Sequence, residues 1–401
     1  MDSKNVLDRA GIYVRQPTGY KAFIPATLPP HPPINLDASL TALLSRADRA
    51  LGRLDGSVST LPNADLFILM YVRKEAVLSS QIEGTQSSLQ DLLAAESSLY
   101  DAHRPKDVDE VINYVRALNY GLKRLNDMPI SIRLIREIHD QLLQGVRGKN
   151  LNPGELRSSQ NWIGPAGCTL STATFIPPPA HDVTRCLGEL EVFLHTADDL
   201  PPLVKIALAH VQFETIHPFL DGNGRLGRLL ITFLLTESDV LQKPVLYLSH
   251  FFKKHREQYY EHLQRVRDYG EFEAWLDFFL RGVVEVAGEA AVTAQRIQLL
   301  REKHRSAIMD TLGRAAGNGL RILEHLFCKP IISVTDIQQL TGTTHAAAST
   351  TVQRLVNLGI LVEVTGYARN RRFRYDAYVQ LFTDGTNIVD EVGLTVSPEE
   401  S

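Results

Sequence analysis

The chain has 401 residues, of which 44% are hydrophobic and 22% are charged, a balance typical of a soluble globular protein with two or three domains. Its formal net charge of −4 argues against a nucleic-acid-binding surface along the whole chain, and its three scattered cysteines are too few for a disulfide framework or a zinc site. Because the first residues lack an apolar signal core and no apolar run reaches membrane-spanning length, we expect a cytoplasmic protein without a membrane segment.

The N-terminal region begins with a proline-rich stretch from Phe23 to Pro30, for which a structured lead-in is favoured over a polyproline ligand. Tyr71 to Ile82 then predicts a helix, and Gly84 is well placed to end it. Glu83 adds a negative charge at the negative end of this helix, which is unfavourable by about 0.3 to 1 kcal/mol. A cation elsewhere in the fold would explain why a glutamate is tolerated there, and a solvated surface glutamate is the alternative.

The middle of the chain contains two patterns of different kinds. Residues 153–163 and 175–179 predict two short strands with a turn around Gly164 and Gly167, although an ordinary loop is the alternative. Residues 203–216 carry apolar side chains at helical spacing, which predicts a helix that ends before Pro218. His210 lies on its apolar face, so we expect a core or supporting histidine there rather than a catalyst.

Residues 217–228 have the sequence H-P-F-L-D-G-N-G-R-L-G-R, and a second apolar helix starts near Gly224. A helix start with neighbouring glycines attracts anions, because its N–H groups are unpaired and a ligand can approach them closely. The side chains supply a base (His217), a hard oxygen ligand for Mg²⁺ (Asp221) and two planar guanidinium groups suited to phosphate (Arg225 and Arg228). An ordinary helical hairpin with a glycine-rich turn is the alternative, and it explains the complete set poorly.

This segment resembles the signature of the Fic (Fido) family, H-P-F-x-[DE]-G-N-G-R-x-x-R, at every specified position. In that family the histidine activates a hydroxyl group of a target protein, which attacks the α-phosphate of ATP and receives AMP. The resemblance implies that His217 is the catalytic base and Asp221 the Mg²⁺ ligand, and that ATP and Mg²⁺ are the cofactors. The residues it implies for ATP binding are Glu83, His217, Gly222, Asn223, Gly224, Arg225, Leu226, Gly227 and Arg228.

Two flanking segments are also similar to the family. The pattern at 153–179 resembles its flap, which captures the target's backbone by strand pairing. Residues 79–84, S-S-Q-I-E-G, match its inhibitory motif [ST]-x-x-x-E-[GN], which implies inhibitory roles for Ser79, Glu83 and Gly84. In such relatives the glutamate pairs with the second arginine of the signature, here Arg228, and prevents ATP from adopting a reactive pose.

The C-terminal third predicts three short helices, over 320–327, 334–340 and 345–358, followed by two alternating stretches at 360–364 and 373–377. This order is typical of a winged helix-turn-helix. Arginines crowd the predicted wing (Arg369, Arg371, Arg372 and Arg374), which favours DNA contact, but the third helix carries a single arginine. DNA binding and a docking or dimerisation role are therefore both open.

We expect a mainly α protein with a Fic (Fido) helical core, a β-hairpin flap, an N-terminal helical domain and a C-terminal winged helix. The predicted parts are residues 1–125 (N-terminal domain), 126–285 (core, with the flap at 157–180), 286–310 (polar helical linker), 311–382 (winged helix) and 383–401 (acidic tail). The leading hypothesis is an autoinhibited protein adenylyltransferase that modifies a hydroxyl side chain of a target protein or of itself. The alternative is a winged-helix DNA-binding regulator whose Fic core senses nucleotide. The resemblance also leads us to expect a homodimer. Tyr259 and Tyr260 are candidate adenine contacts by their position just after the core alone.

Overall fold

The computed structural model describes residues 9–61, 64–97, 107–146, 151–165, 167–197, 199–367 and 369–383, and they are mainly helical. The described chain opens with an antiparallel hairpin of β1 (Gly11–Arg15) and β2 (Lys21–Pro25), in which Tyr13 faces Phe23. The amide of Phe23 also donates to the carbonyl of Ile176 at 2.9 Å, so the hairpin is bonded to the segment predicted as the flap exit. The proline-rich stretch is thus part of a structured lead-in.

Helices of the N-terminal region follow: α1 (Ala38–Ser59), α2 (Ala64–Ile82), α3 (Leu89–Glu96) and α4 (Val108–Arg124). The predicted helix over 71–82 is the second half of α2. Gly84 follows it at a φ of +93°, a left-handed conformation that glycine adopts without steric cost. The main chain then reverses, because the amide of Thr85 donates to the carbonyl of Ser80 at 3.1 Å. Glu83 is thereby held in a fixed turn directly after the helix.

The core consists of α5 (Ile132–Leu143), α6 (Val183–His195), α7 (Pro202–Ile216) and α8 (Asn223–Glu237). The predicted helix over 203–216 is confirmed as α7, which is buried around most of its circumference, and α8 packs against it. Gly121 of α4 is in contact with the core, because a Cβ there would lie 2.4 Å from the ring of Phe233. The 217–228 segment therefore forms the connection between two buried helices, which fixes its backbone.

Three helices complete the central part: α9 (Ser249–Lys254), α10 (Arg256–Tyr269) and α11 (Phe272–Leu312). The polar linker predicted over 286–310 is helical, but it is the second half of the continuous helix α11 rather than a separate connector. Apolar residues on one side of this half are buried, including Ile297 and Ile308, and α11 packs against α1. Small side chains on both helices, such as Ala50 and Ala290, allow this close approach. Among the residues described, no helix is both long and apolar enough to cross a membrane.

The flap differs from the predicted pair of strands. Within residues 151–165 and 167–180 the only strand pairing is one bridge between Ile163 and Phe175, whose amides and carbonyls bond at 2.8 and 3.0 Å. The rest of the segment is held by side chains: Arg157 donates to the carbonyl of Pro178, and Gln160 donates to the carbonyl of Pro177 at 3.0 Å. Side-chain bonds to the main chain have replaced the expected ladder.

The C-terminal module has the predicted order of elements: α12 (Ala316–Cys328), β3 (Ile331–Ser333), α13 (Val334–Thr341), α14 (His345–Asn357), β4 (Val362–Glu363), β5 (Arg372–Arg374) and α15 (Asp376–Val379). Its sheet has the strand order β3–β5–β4. The sequence patterns missed β3, because all three of its residues are buried and no alternation marks them. The acidic tail predicted over 383–401 lies outside the described residues from 384 onward.

Candidate active site

His217 lies directly after α7, in a left-handed conformation with a φ of +49°. This conformation is uncommon for residues other than glycine and must be held by its surroundings. Its carbonyl accepts hydrogen bonds from Arg157 Nε at 2.9 Å and from Asn161 Nδ2 at 3.2 Å, both in the flap segment. The flap thus fixes the main chain of His217, a function of Arg157 and Asn161 that the sequence patterns had not indicated.

The imidazole of His217 is partly buried, and among the described residues its Nδ1 atom has no hydrogen-bond partner. Burial, followed by the charges of Arg267 and Arg157, lowers the pKa of His217 to about 3. The ring is therefore neutral at physiological pH and able to accept a proton. Negative charge brought into the site, such as that of a polyphosphate, would raise this pKa and strengthen the base.

The side chain of Asn223 braces the loop after His217. Asn223 accepts a hydrogen bond from the amide of Phe219 at 2.9 Å and donates to the carbonyl of the same residue at 2.8 Å. The Asn223 side chain therefore closes the loop, so Asn223 can contribute to an anion site only through its main chain. The side chain of Leu226 is buried in the core, so Leu226 can likewise contribute only through its main chain.

His139 supports the loop from α5. The amide of Gly154 donates to its Nδ1 atom at 2.9 Å, so Nε2 carries the proton and donates to the carbonyl of Asp221, also at 2.9 Å. The ring stacks on Phe219 with centroids 3.7 Å apart, and burial lowers the pKa of His139 to about 4. Nothing in the sequence marked His139, because a lone histidine on a helix carries no motif.

Asp221 presents a partly exposed carboxylate at the start of α8. Its Oδ1 atom accepts from the amide of Gly222 at 2.7 Å and lies 3.7 Å from Arg225 Nη2. No cluster of three or more metal-ligating side chains occurs in the described parts of the chain, so Asp221 offers a single carboxylate. This donor set suits Mg²⁺, which is usually held by one or two carboxylates together with phosphate oxygens and water. It fits a metal ion that is bound together with a nucleotide.

Arg225 is almost completely buried, and its Nη1 donates to Glu110 Oε2 at 3.0 Å. Glu110 belongs to α4 and is itself buried, so this ion pair joins the loop to the N-terminal helices. The sequence patterns did not identify Glu110 as a partner. Arg225 therefore has a structural bond as well as a position on the first turn of α8.

Arg228 is bonded to Ser79 and Glu83, two residues of the motif that the sequence predicted as inhibitory. Its Nε donates to Ser79 Oγ at 2.8 Å, while Nη2 donates to the Ser79 carbonyl at 2.9 Å and to Glu83 Oε1 at 2.7 Å. Burial alone would raise the pKa of Glu83 and lower that of Arg228, but the pairing reverses both directions. The two groups thus stay charged and paired.

The carboxylate of Glu83 also covers the glycines at the start of α8. A Cβ added at Gly224 would lie 2.2 Å from Glu83 Oε1, and Gly222, with a φ of +78°, supplies the turn before it. Glu83 therefore places negative charge on the helix start that the sequence predicted as an anion site. One turn further, Gly227 has room only for hydrogen, because a Cβ there would lie 2.3 Å from Glu214 Oε1.

The histidine and tyrosines outside the 217–228 segment have different surroundings. His210 is buried, bonds the Gly227 carbonyl through Nδ1 at 3.0 Å and bonds the Tyr259 hydroxyl through Nε2 at 2.9 Å, which matches the expected supporting role. Tyr259 is buried with it, so the structure does not favour Tyr259 as an adenine contact. Tyr260 is 39% exposed and remains a candidate.

Comparisons with known proteins place this geometry in context. Residues 41–123 match the family model "Fic/DOC family N-terminal", and residues 129–235 match the model "Fic/DOC family". Protein adenylyltransferase Fic of Aedes aegypti is 28% identical over 256 residues, which cover 59% of this chain and 47% of that protein. The protein of the same name from Culex quinquefasciatus is 29% identical over 224 residues, which cover 53% of this chain and 41% of that protein. The chain thus spans less than half the length of these curated relatives.

Two crystal structures share the fold. A Fic family protein from Desulfovibrio desulfuricans G20 matches with a TM-score of 0.56 and 19% identity, over 86% of this chain and 97% of that chain. A Fic-domain-containing signaling protein from Bacteroides thetaiotaomicron VPI-5482 matches with a TM-score of 0.50 and 20% identity, over 64% of this chain and 95% of that chain. At these identities the structures establish the architecture alone.

Proposed function

With a Fic/DOC N-terminal domain and a Fic/DOC domain, the chain is a Fic-family protein, and we propose that it transfers AMP from ATP to a hydroxyl side chain of a target protein or of itself. The observation that carries this proposal is the arrangement around the start of α8. A neutral histidine, a partly exposed carboxylate and two arginines surround main-chain N–H groups that the glycines would leave accessible once Glu83 is displaced. This arrangement suits a nucleotide's phosphates, with a base beside them.

The proposed reaction needs little covalent chemistry from the protein. The target hydroxyl oxygen attacks the α-phosphorus of ATP, the bond between the α-phosphorus and the bridging oxygen breaks, and pyrophosphate leaves. His217 accepts the hydroxyl proton, a transfer that typically contributes about 10² to 10⁴-fold to a rate. Arg225, Arg228 and the amides at the start of α8 hold the phosphate oxygens. Mg²⁺, bound at Asp221 together with the nucleotide, would offset the charge that develops on the pyrophosphate.

We also propose that the conformation with Glu83 on Arg228 is the inhibited one. Glu83 takes up a guanidinium that would otherwise bind the γ-phosphate, and its carboxylate lies over Gly224 at the helix start. A polyphosphate brought to this point would meet a like charge in a partly buried site, where repulsion is strong. Removal of the carboxylate should therefore activate the enzyme.

The proposal is tested by incubating Glu83→Gly protein with Mg²⁺ and ATP labelled at either the α- or the γ-phosphate. Label from the α-phosphate alone supports AMP transfer, label from the γ-phosphate alone indicates a kinase, and absence of both favours the alternative, a DNA-binding regulator whose Fic core senses nucleotide. The double variant Glu83→Gly/His217→Ala is the matched control and should lose the label. Equal or lower α-labelling in Glu83→Gly than in wild type would remove the inhibitory role.

The proposal also covers the target, the location and the assembly of the chain. The target is a protein with a serine, threonine or tyrosine hydroxyl, and we propose that the chain is cytoplasmic and forms a homodimer.

For the C-terminal module we favour protein docking over DNA binding. Three of the four wing arginines are already paired with carboxylates of the module: Arg371 with Glu363, Arg372 with Asp336 and Arg374 with Asp376.

A further inference from the structure

Arg267 lies on α10, well outside the 217–228 segment, and is nevertheless in contact with the helix that carries His217. Its Nη2 donates to the carbonyl of Glu214 at 3.1 Å, and its Nε donates to Thr215 Oγ1 at 3.2 Å. Both partners belong to the last turn of α7, which ends one residue before His217. Arg267 therefore fixes the turn from which the imidazole projects.

The same guanidinium contacts the flap. Its central carbon lies 3.9 Å from the ring centroid of Phe175, well within the range of a cation–π contact. Phe175 is the flap residue that pairs with Ile163, and its ring also contacts Phe23 of the N-terminal hairpin. One side chain thus joins the histidine's helix to the flap.

Arg267 is buried, yet within the described residues none of its hydrogen bonds reaches a carboxylate. A buried cation without a bonded anion is costly, so its charge must be compensated through space or serve another purpose. The charged groups that act on His217 are Arg267 from α10, Arg157 from the flap and Glu83 from the turn after α2. After burial itself, Arg267 contributes most to the low pKa of His217.

We propose that Arg267 is a positioning residue for the reaction, which holds the last turn of α7 against the flap and acts with its positive charge on the imidazole of His217. The effect of Arg267 on catalysis rests on the proposed AMP transfer, whereas the first test does not depend on that activity. That test is an NMR titration of the His217 ring in wild type and Arg267→Gln, with His217→Ala used to assign the signal. The His217 pKa should rise in Arg267→Gln because a positive charge is removed, and an unchanged titration would overturn the proposal.

The second readout is the pH dependence of AMP transfer in the Glu83→Gly background. Arg267→Gln should lower kcat about tenfold or more, with a smaller effect on the KM for ATP, and should move the acid limb to higher pH. Arg267→Lys keeps the charge and should restore the acid limb but only part of kcat. If Arg267→Gln does not fold, Arg267→Lys still tests the positioning role, because a kcat equal to that of wild type in this variant would overturn it. Arg265 is an exposed arginine of the same helix, so Arg265→Gln is the matched control. It should change neither kcat nor the pH of the acid limb. If Glu83→Gly is inactive, the proposed function fails while the titration still decides the role of Arg267.

A separate set of contacts joins the C-terminal module to α2. The ring of Phe382 meets the ring of Tyr71 edge-on with centroids 5.4 Å apart. Phe382 also packs against Tyr378 at 5.3 Å, and Tyr378 against Phe327 at 4.8 Å, so the contact continues into the interior of the module. All four side chains are buried, and aromatic pairs of this kind stabilise a contact beyond the effect of the area they bury.

Helix α2 carries this contact near its middle and the inhibitory motif at its end. Tyr71 and Ser79 are eight residues apart on one continuous helix, a distance of about 12 Å along its axis. Ser79 and Glu83 hold Arg228, so a displacement of α2 at Tyr71 would also displace the groups that bind the arginine. The helix is thus a rigid connection between the module and the site.

We infer that the C-terminal module contributes to the proposed inhibition, because its packing on Tyr71 holds α2 where Glu83 reaches Arg228. Hydrogen exchange tests the structural half: Phe382→Ala should speed exchange of the amides of α2, whereas Tyr367→Ala, on the exposed wing, should not. Unchanged exchange in Phe382→Ala would overturn the inference whatever the activity. Phe382→Leu, which keeps most of the apolar volume, should exchange more slowly than Phe382→Ala.

Labelling with α-labelled ATP tests the regulatory half. Phe382→Ala should raise self-modification at least fivefold when Glu83 is present. It should change self-modification little in the Glu83→Gly background, where the ion pair with Arg228 is already absent. An equal increase in both backgrounds, or none in either, would overturn the inference. Activity of Glu83→Gly itself decides the proposed function separately.

Discussion

The carboxylate of Glu83 lies against Gly224, at a position where any larger side chain would have to push it away. The Oε1 atom is 2.2 Å from the point where a Cβ of residue 224 would stand, and the same atom accepts the hydrogen bond from Arg228. The glycine that would admit a nucleotide phosphate to the helix start therefore also admits the glutamate that we propose to be inhibitory. In this proposal, inhibition and nucleotide binding use the same free space beside Gly224.

The first prediction concerns this space. Gly224→Ala should displace the Glu83 carboxylate and weaken its ion pair, so it should cost more stability in wild type than in Glu83→Gly. We expect a coupling of about 1 kcal/mol, the size usual for residues in contact. Denaturant unfolding of the four proteins of this cycle measures it. Additive effects of the two substitutions would show that the carboxylate does not occupy this position in solution.

The second prediction separates two neighbouring serines on α2. Ser79→Ala removes the acceptor of Arg228 Nε and leaves a charged donor buried, which should lower the free energy of unfolding by about 1 to 3 kcal/mol. Ser80 is equally buried, but within the described residues its hydroxyl has no partner. Ser80→Ala should therefore change stability by less than about 0.5 kcal/mol. Equal losses in the two variants would contradict the assigned bond.

Local patterns predicted the helices around the site well. The spacing of apolar residues located α7, the turn-forming residues located the loop, and Gly84 ended α2 as expected. The family resemblance paired Glu83 with Arg228 across 145 residues of sequence, and the structure places their atoms 2.7 Å apart. The predictions of the helices, the loop and the helix end depend on features that lie within a few residues of one another, whereas the pairing of Glu83 with Arg228 came from the resemblance.

The unpredicted features depend on contacts between distant segments. No local sequence pattern indicates that Arg225 pairs with Glu110 or that His139 donates to the carbonyl of Asp221. The flap was predicted as two strands from the turn residues around Gly164 and Gly167 and from the family resemblance, but side-chain bonds from Arg157 to the main chain took the place of a ladder. The second half of α11 was predicted as a polar connector, since its buried stripe is narrow and its packing against α1 is invisible in the sequence.

The third prediction concerns the buried ion pair of Arg225 and Glu110. Glu110→Gln leaves the guanidinium buried without its charged partner, so the free energy of unfolding should fall by about 3 kcal/mol. Asp277→Asn is a suitable control, because its pair with Arg281 is exposed and such pairs contribute about 1 kcal/mol or less. Thermal or denaturant unfolding of both variants decides the matter. Similar small losses would show that Asp221 or water replaces Glu110 as the partner of Arg225.

The fourth prediction concerns nucleic acid. Because the wing arginines at 371, 372 and 374 pair within the module, we expect the chain to show at most weak binding to duplex DNA. Fluorescence anisotropy with random duplexes at 50 and 200 mM salt measures this. A tight complex whose affinity falls about 10³ to 10⁵-fold over that range would instead establish a phosphate-binding surface. Arg369→Ala would then identify the contribution of the wing tip.

The last prediction concerns acid stability through His139. In the folded protein burial lowers the pKa of His139 to about 4, whereas in the unfolded chain it should be close to 6.5. Between these values the unfolded state binds a proton that the folded state does not, so the free energy of unfolding falls as the pH falls through this window. The slope for one such group is at most about 1.4 kcal/mol per pH unit, which gives roughly 3 kcal/mol between pH 6.5 and 4.

Other buried groups titrate in the same range, so the effect of His139 must be isolated by substitution. Burial raises the pKa values of Glu75 and Glu214 to about 7, and these carboxyl groups act in the opposite direction, because the folded state binds their protons. His139→Gln retains a donor for the Asp221 carbonyl and does not titrate. Its stability relative to wild type should be lowest at pH 8, where both side chains are neutral, and should improve steadily toward pH 4. Parallel stability curves for the two proteins would show that His139 is protonated equally in both states.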